Sequence, residues 1–164
     1  MNNFTESFQT NYQHISYEAH FLDLSKRFNI FHQNDLNIFI HFLTTPLGVL
    51  GFISLIRILT NSSTIGVAIS LFYIMTLLPT VSSGVLFGTA LMTFIIVISS
   101  RKLQLGLWKS LSCIVLGYLL QDLSHFLTGE STFQSTYSDG GHVIHLCFSL
   151  FFYLHFIRLH NNKK

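Results

Sequence analysis

The order of hydrophobic and polar positions divides the chain sharply. About thirty mixed residues come first, then long apolar runs broken by short polar stretches. Ile38 to Leu59 carries a single charge, Arg57, and is long enough to cross a bilayer, which takes about 20 apolar residues. From Thr64 to Ser99 there is no charge at all. A rod of roughly 36 residues at about 1.5 Å each would reach about 54 Å, too long for one crossing. Pro79, followed by Thr80, Ser82, Ser83 and Gly84, supplies a turn, so this run predicts a hairpin of two short helices, Thr64–Leu78 and Gly84–Ser99. Further helices are expected from about Leu105 to Leu127 and from His142 to Leu159. The predicted fold is an all-α polytopic membrane bundle of about five helices, two of them forming the short hairpin.

Ahead of the bundle, Tyr17, Phe21, Leu24 and Phe28 recur at helical spacing, while Glu18, Asp23, Lys26 and Arg27 fall between them. That is an amphipathic helix, lying in the membrane interface or packed as a cap on the bundle's end. The predicted organisation is an N-terminal amphipathic segment over residues 1–30, a membrane helical domain over 31–160, and a polar tail over 161–164.

Composition strengthens the membrane reading. Apolar residues make up 49% of the chain, charged residues only 10%, and Phe alone occurs 17 times. Soluble domains carry about 25% charge, so lipid must cover much of this surface. A net charge of +2 without a basic run gives no reason to expect a nucleic-acid partner. Cys113 and Cys147 lie inside apolar segments and do not read as a disulfide pair or a thiolate metal site. Residues 1 to 20 are polar and lack the apolar core of a cleavable signal peptide. The expected location is an integral membrane one: the endoplasmic reticulum in a eukaryote, the inner membrane in a bacterium.

Five crossings sort the histidines by parity. His32 and His41 at the start of the first span, His125 at the end of the fourth, and His142 and His145 at the start of the fifth all come to one end of the bundle. His155 and His160 go to the other. Asn34, Asn37 and His41 share one helical face. His32 and His41 are half a revolution out of phase, so the chain must bend between them to join them, and Asn34 or Asp35 can supply that bend by capping the helix. Gln121 and Asp122 lie one turn before His125. Strongly polar side chains at membrane depth are costly and usually functional. Neutral imidazole is a common metal ligand, oriented by a neighbouring amide or carboxylate. His32, His41, His125, His142 and His145 are therefore the candidate ligands, with Asn34, Asn37, Gln121 and Asp122 as candidate orienting groups. Without a thiolate, such a set suits non-haem iron, zinc and copper being alternatives. If each histidine instead caps a helix or sits among headgroups, there is no such site.

The string His32-x-Asn34-x-x-Asn37-x-x-x-His41, followed by Pro46, resembles the signature of the 2-hydroxy-palmitic acid dioxygenase family, small polytopic iron-dependent enzymes of fatty-acid α-oxidation. FYIMTLLPT, residues 72 to 80, is similar to the family's hairpin. Gln121-x-x-x-His125, with Gly129 beyond it, is similar to its glutamine–histidine element. The likeness covers roughly residues 30 to 130. The following FLTGESTFQSTY departs from the family: it lacks a proline-containing basic stretch, and its acid, Glu130, is displaced. The resemblance implies an Fe(II) enzyme that shortens 2-hydroxy fatty acids by one carbon using O2, the substrate's hydroxyl and carboxylate meeting the metal while the acyl tail lies among the helices. Its partners would be the 2-hydroxy fatty acid, O2 and membrane lipid.

Two other classes remain open at this stage. One is a different lipid-modifying iron enzyme, a hydroxylase or desaturase, although those carry denser histidine boxes than His142-x-x-His145. The other is a non-enzymatic transport or assembly protein. Arg57, Arg101, Lys102, Lys109, Arg158, Lys163 and Lys164 fall on the side opposite the histidines. The positive-inside bias then places the candidate site away from the cytoplasm.

Overall fold

The structure, a computed structural model, describes residues 21–131 except 24 and 27. The expected fifth helix with His142 and His145, the polar tail and residues 1–20 lie outside the described residues. Four helices follow one another: α1 (Asp35–Thr60), α2 (Ser63–Leu77), α3 (Ser83–Leu103) and α4 (Leu107–Thr128). Among the described residues all regular structure is helical. Three helices, α1, α3 and α4, are long and apolar enough to cross a membrane. The 15 residues of α2 reach only about 22 Å, short of a hydrocarbon layer of about 30 Å.

Each boundary has a local cause. Asn34 caps α1, its side chain accepting from the Leu36 N–H at 2.9 Å, and Asp35 stands in the first turn, where a helix favours negative charge. Asn61 (φ 49°) and Gln104 (φ 44°) end α1 and α3 in the left-handed region. Between α2 and α3 the chain turns at residues 78–82, with the Val81 N–H bonded back to the Leu77 carbonyl at 3.1 Å.

The bundle buries small and polar side chains and exposes large apolar ones. Ser54, Thr89, Ser100, Ser110 and Ser124 are sealed off, while Phe87, Trp108 and Phe126 stand 71–81% exposed. That inversion is compatible with helices whose outer faces meet lipid. Most of the buried hydroxyls bond within their own helices: Thr44 donates to the Ile40 carbonyl, Thr89 to Val85, Thr93 to Thr89 and Ser110 to Gly106. Ser54 and Ser124 reach across, to Ser100 Oγ at 3.3 Å and to Asn37 Oδ1.

α1 touches the other three helices, and its closest approach is to α4. A Cβ on Gly51 would lie 2.6 Å from the Ser110 carbonyl oxygen, and one on Gly117 would meet Gly48 and the Thr44 carbonyl at 3.0 Å. Asn37, His41, Thr44, Gly48 and Gly51 form the α1 side of this seam; Ser110, Gly117 and Ser124, spaced by sevens, form much of the α4 side. The two backbones run antiparallel almost in contact, so the start of α1 meets the end of α4.

Residues 21–30 are helical at their described positions. Phe21 and Phe28 are 2% exposed, packed with Leu77, Val81 and Val85 at the hairpin turn. Along these residues the amphipathic segment caps the bundle, one of the two placements its pattern allows.

Gly51→Ala should therefore destabilise the protein by about 1–3 kcal/mol, the usual cost of overpacking, because the atom it meets is backbone and cannot swing aside. Gly84→Ala, with nothing within 4 Å of its new methyl, should be neutral or slightly stabilising. Thermal unfolding of both variants in detergent checks the contrast; equal melting temperatures would contradict the seam.

Candidate metal centre

Three of the predicted ligands converge where the α1–α4 seam reaches the end of the bundle. His41 lies in the second turn of α1 and His125 in the last turn of α4, and their Nε2 atoms are 3.1 Å apart. His32 arrives from the preceding segment. The chain leaves helical geometry over residues 31–34 and re-enters it at the Asn34 cap, which is the bend needed to bring His32 round to His41. The three rings are 1–5% exposed. Their centroids are 4.8–4.9 Å apart and their planes stand at 73–83° to one another, so the rings surround one point. One nitrogen from each lies within 4.8 Å of the others.

Hydrogen bonds settle which nitrogens face inward. His32 Nδ1 lies 2.9 Å from the Phe28 carbonyl oxygen. A carbonyl only accepts, so Nδ1 carries the proton and Nε2 holds the lone pair. Phe28 also stacks on the His32 ring at 4.0 Å, fixing its plane. Two nitrogens each about 2.1 Å from one ion and about 95° apart at it are separated by about 3.1 Å. The His41–His125 gap thus has the spacing of a ligand pair, and His32 offers a third nitrogen within 4.8 Å.

Asn37, fully buried, organises the surroundings. Its amide nitrogen donates to Glu130 Oε2 at 2.6 Å and to the Phe31 carbonyl at 3.3 Å, both pure acceptors, which fixes the amide's orientation. Its oxygen accepts from the Ser124 hydroxyl. The same nitrogen faces His125 Nδ1 at 3.2 Å. With both amide hydrogens directed at Glu130 and Phe31, this is a packing contact against the outer edge of the His125 ring.

Glu130 is the residue that sequence reasoning passed over, noting it only as a displaced acid. Besides Asn37, it accepts from the backbone N–H groups of Gln33 and, at 2.8 Å, of Asn34, tying the end of α4 to the bend before α1. Its position follows from the helix end. Gly129 is left-handed (φ 69°), and the Glu130 N–H returns to the His125 carbonyl at 3.0 Å. This six-to-one closure sets the residue after the glycine beside the one four before it. The Gly129–Glu130 pair was the available signal. Burial raises the Glu130 carboxyl, but the hydrogen bonds from Asn37, Asn34 and Gln33 and the nearby His32 outweigh it and hold it below the ordinary value of 4.5. A depressed carboxyl stabilises the fold above that ordinary value, and the contribution fades as pH falls through the lowered one. The clamp is charged at neutral pH.

The other candidates are placed differently. Asn34 spends its side chain on the helix cap, though its backbone N–H meets Glu130. Gln121 donates to Thr45 Oγ1 at 2.8 Å, joining α1 and α4 one turn below the histidines. Asp122 is exposed.

Comparison with family models, with curated proteins and with solved structures finds no match. The likeness in motif is therefore carried by the residues themselves, and their chemistry is judged on this geometry. Three buried, closely spaced imidazoles, with a carboxylate and an amide behind them and, among the described residues, no thiolate in the group, fit a divalent first-row ion.

Two results are expected from metal titration of detergent-purified protein. Glu130→Ala should weaken Fe(II) or Zn(II) binding by about 10–100-fold, the usual cost of removing a group that positions a ligand, while Asp122→Asn leaves it unchanged. Affinity should also fall at acid pH, because a protonated imidazole has no lone pair to offer a cation. Binding insensitive to both Glu130 and pH would show that the ion sits elsewhere.

Proposed function

We propose that this protein is a membrane-embedded iron dioxygenase that removes one carbon from 2-hydroxy long-chain fatty acids. The observation that carries the reading is the buried His32–His41–His125 set at one end of an apolar bundle, together with the motif likeness around it. A fatty acid has its reactive head at the membrane surface and its tail in the bilayer, and a site for that head belongs at this depth. Phe39, Leu43 and Phe126, exposed around the histidines, offer an apolar surface to the tail.

His32, His41 and His125 would hold the ion, which when bound supplies oxygen activation and a Lewis acid for the hydroxyl and carboxylate of the substrate. The chain's own contribution is positional. Phe28 sets the His32 tautomer, Asn37 fixes the plane of His125, and Glu130 keeps the two strands of the site from separating. The burial of the three rings excludes water. The overall change balances without an external reductant: a 2-hydroxy acid and O2 yield the acid one carbon shorter, carbon dioxide and water.

Purified protein loaded with Fe(II) should convert 2-hydroxypalmitate to the fifteen-carbon acid, with His41→Ala at background and still inserted in membranes. An unshortened product carrying a new hydroxyl or double bond would mean a hydroxylase or desaturase. Full activity in His41→Ala would overturn the site.

A further inference from the structure

At the end of the bundle opposite the histidines, a cavity of about 520 Å³ is lined by Arg57, Asn61, Ser62, Ser63, Arg101 and Gln104 among others. Two guanidinium groups share it. The chain has no Asp or Glu anywhere from Leu36 to Gln121, and no carboxylate lines the cavity. The four carboxylates among the described residues, Asp23, Asp35, Asp122 and Glu130, belong to segments that meet at the histidine end.

Both arginines stand in the last turns of their helices, where a cation complements the helix dipole. That explains their sign but leaves their hydrogen-bonding capacity in excess. A guanidinium has five N–H donors. Arg57 donates from Nη2 to the Leu105 carbonyl at 3.1 Å, and Arg101 from Nη2 to the Ser63 hydroxyl at 3.3 Å. Arg57 Nε is buried and makes no hydrogen bond. A buried charged donor without an acceptor is costly, and the same guanidinium belongs to a residue that lines a space large enough for an oxyanion. The N-terminus of α2 opens on the same space, with Ser62 and Ser63 at its rim, and adds a further preference for negative charge.

We propose that this cavity binds a phosphate group, the arginines gripping its oxygens in the forked geometry that guanidinium and phosphate share. The phosphate is that of an anionic lipid. Leu59 and Leu103, 70% and 59% exposed, flank the arginines' helices and offer an apolar surface to acyl chains attached to it. Basic pockets between membrane helices take such headgroups. The site is separate from the metal centre and does not depend on the proposed activity.

Trp108, the single tryptophan, is 79% exposed in the first turn of α4, near the loop that Arg57 holds. It reports on bound lipid in vesicles containing brominated acyl chains. Brominated phosphatidic acid in a phosphatidylcholine background should quench Trp108 more strongly than the same mole fraction of brominated phosphatidylcholine. Arg57→Gln and Arg101→Gln should each weaken that preference by about tenfold, as for one lost charge-assisted hydrogen bond, with Arg57→Lys intermediate. Lys102→Gln and Lys109→Gln, outside the cavity lining, should preserve it. Because Arg57 also holds the Leu105 loop, an unchanged melting temperature in detergent certifies each variant's fold, and exposed Arg101 serves as the milder test. Equal quenching by the two lipids, or a preference that survives Arg101→Gln, would overturn the site. A preference lost equally in the lysine variants would reduce it to diffuse attraction. Displacement of the lipid by submillimolar inorganic phosphate would overturn the lipid and leave free phosphate as the ligand.

Discussion

The near-contact of α1 and α4 backbones is the constraint on which the rest depends. In a bilayer, lipid tails compete on equal terms with apolar side chains, so helices associate through close van der Waals packing. Gly48, Gly51 and Gly117 permit that approach; a Cβ at Gly51 or Gly117 would strike backbone atoms. Two antiparallel helices locked along such a seam have their ends in register. That register sets the two Nε2 atoms of His41 and His125 3.1 Å apart and holds Ser124 against Asn37. A rotation or slide of either helix would scatter the site.

Around that fixed pair, the remaining parts are held by hydrogen bonds made where water is scarce. Asn37 and Glu130 act together. The carboxylate pins the bend that delivers His32, and the amide it anchors faces the outer nitrogen of His125. Such bonds are strong inside a low-dielectric bundle, and a half-satisfied network would be worse than an apolar one. The arrangement therefore has few intermediate states: bend, amide and carboxylate are in place together. The short α2 and the hairpin turn matter at the same end, because they present Leu77, Val81 and Val85 to the segment carrying Phe28, the residue that orients His32.

Charge is distributed along the bundle as sharply as polarity is across it. The described carboxylates gather at the histidine end and the arginines and Lys102 at the other, with nothing ionised between. A divalent cation is the natural complement of the first end and an oxyanion of the second.

The long apolar helices were legible in the chain alone, because a bilayer-crossing run obeys a local rule: about 20 apolar residues and no unsatisfied backbone. The predicted first four helices, Ile38–Leu59, Thr64–Leu78, Gly84–Ser99 and Leu105–Leu127, lie close to α1, α2, α3 and α4 as the structure describes them. Parity then brought His41 and His125 to one end, since each crossing reverses direction. What spacing could not decide was angle and reach. Asn34, Gln121 and Asp122 sit at favourable intervals, yet one caps a helix, one bonds Thr45 across the seam and one is exposed. The rotation of α1 against α4 chose among them, and that rotation is set by where small residues let two backbones meet. Glu130 gained its role the same way: a left-handed glycine folds it back beside His125, ninety-odd residues from the backbone amides it binds. Helix length and burial are properties of a segment and its solvent; the position of a carboxylate relative to three imidazoles is a property of packing, and only the folded bundle contains it.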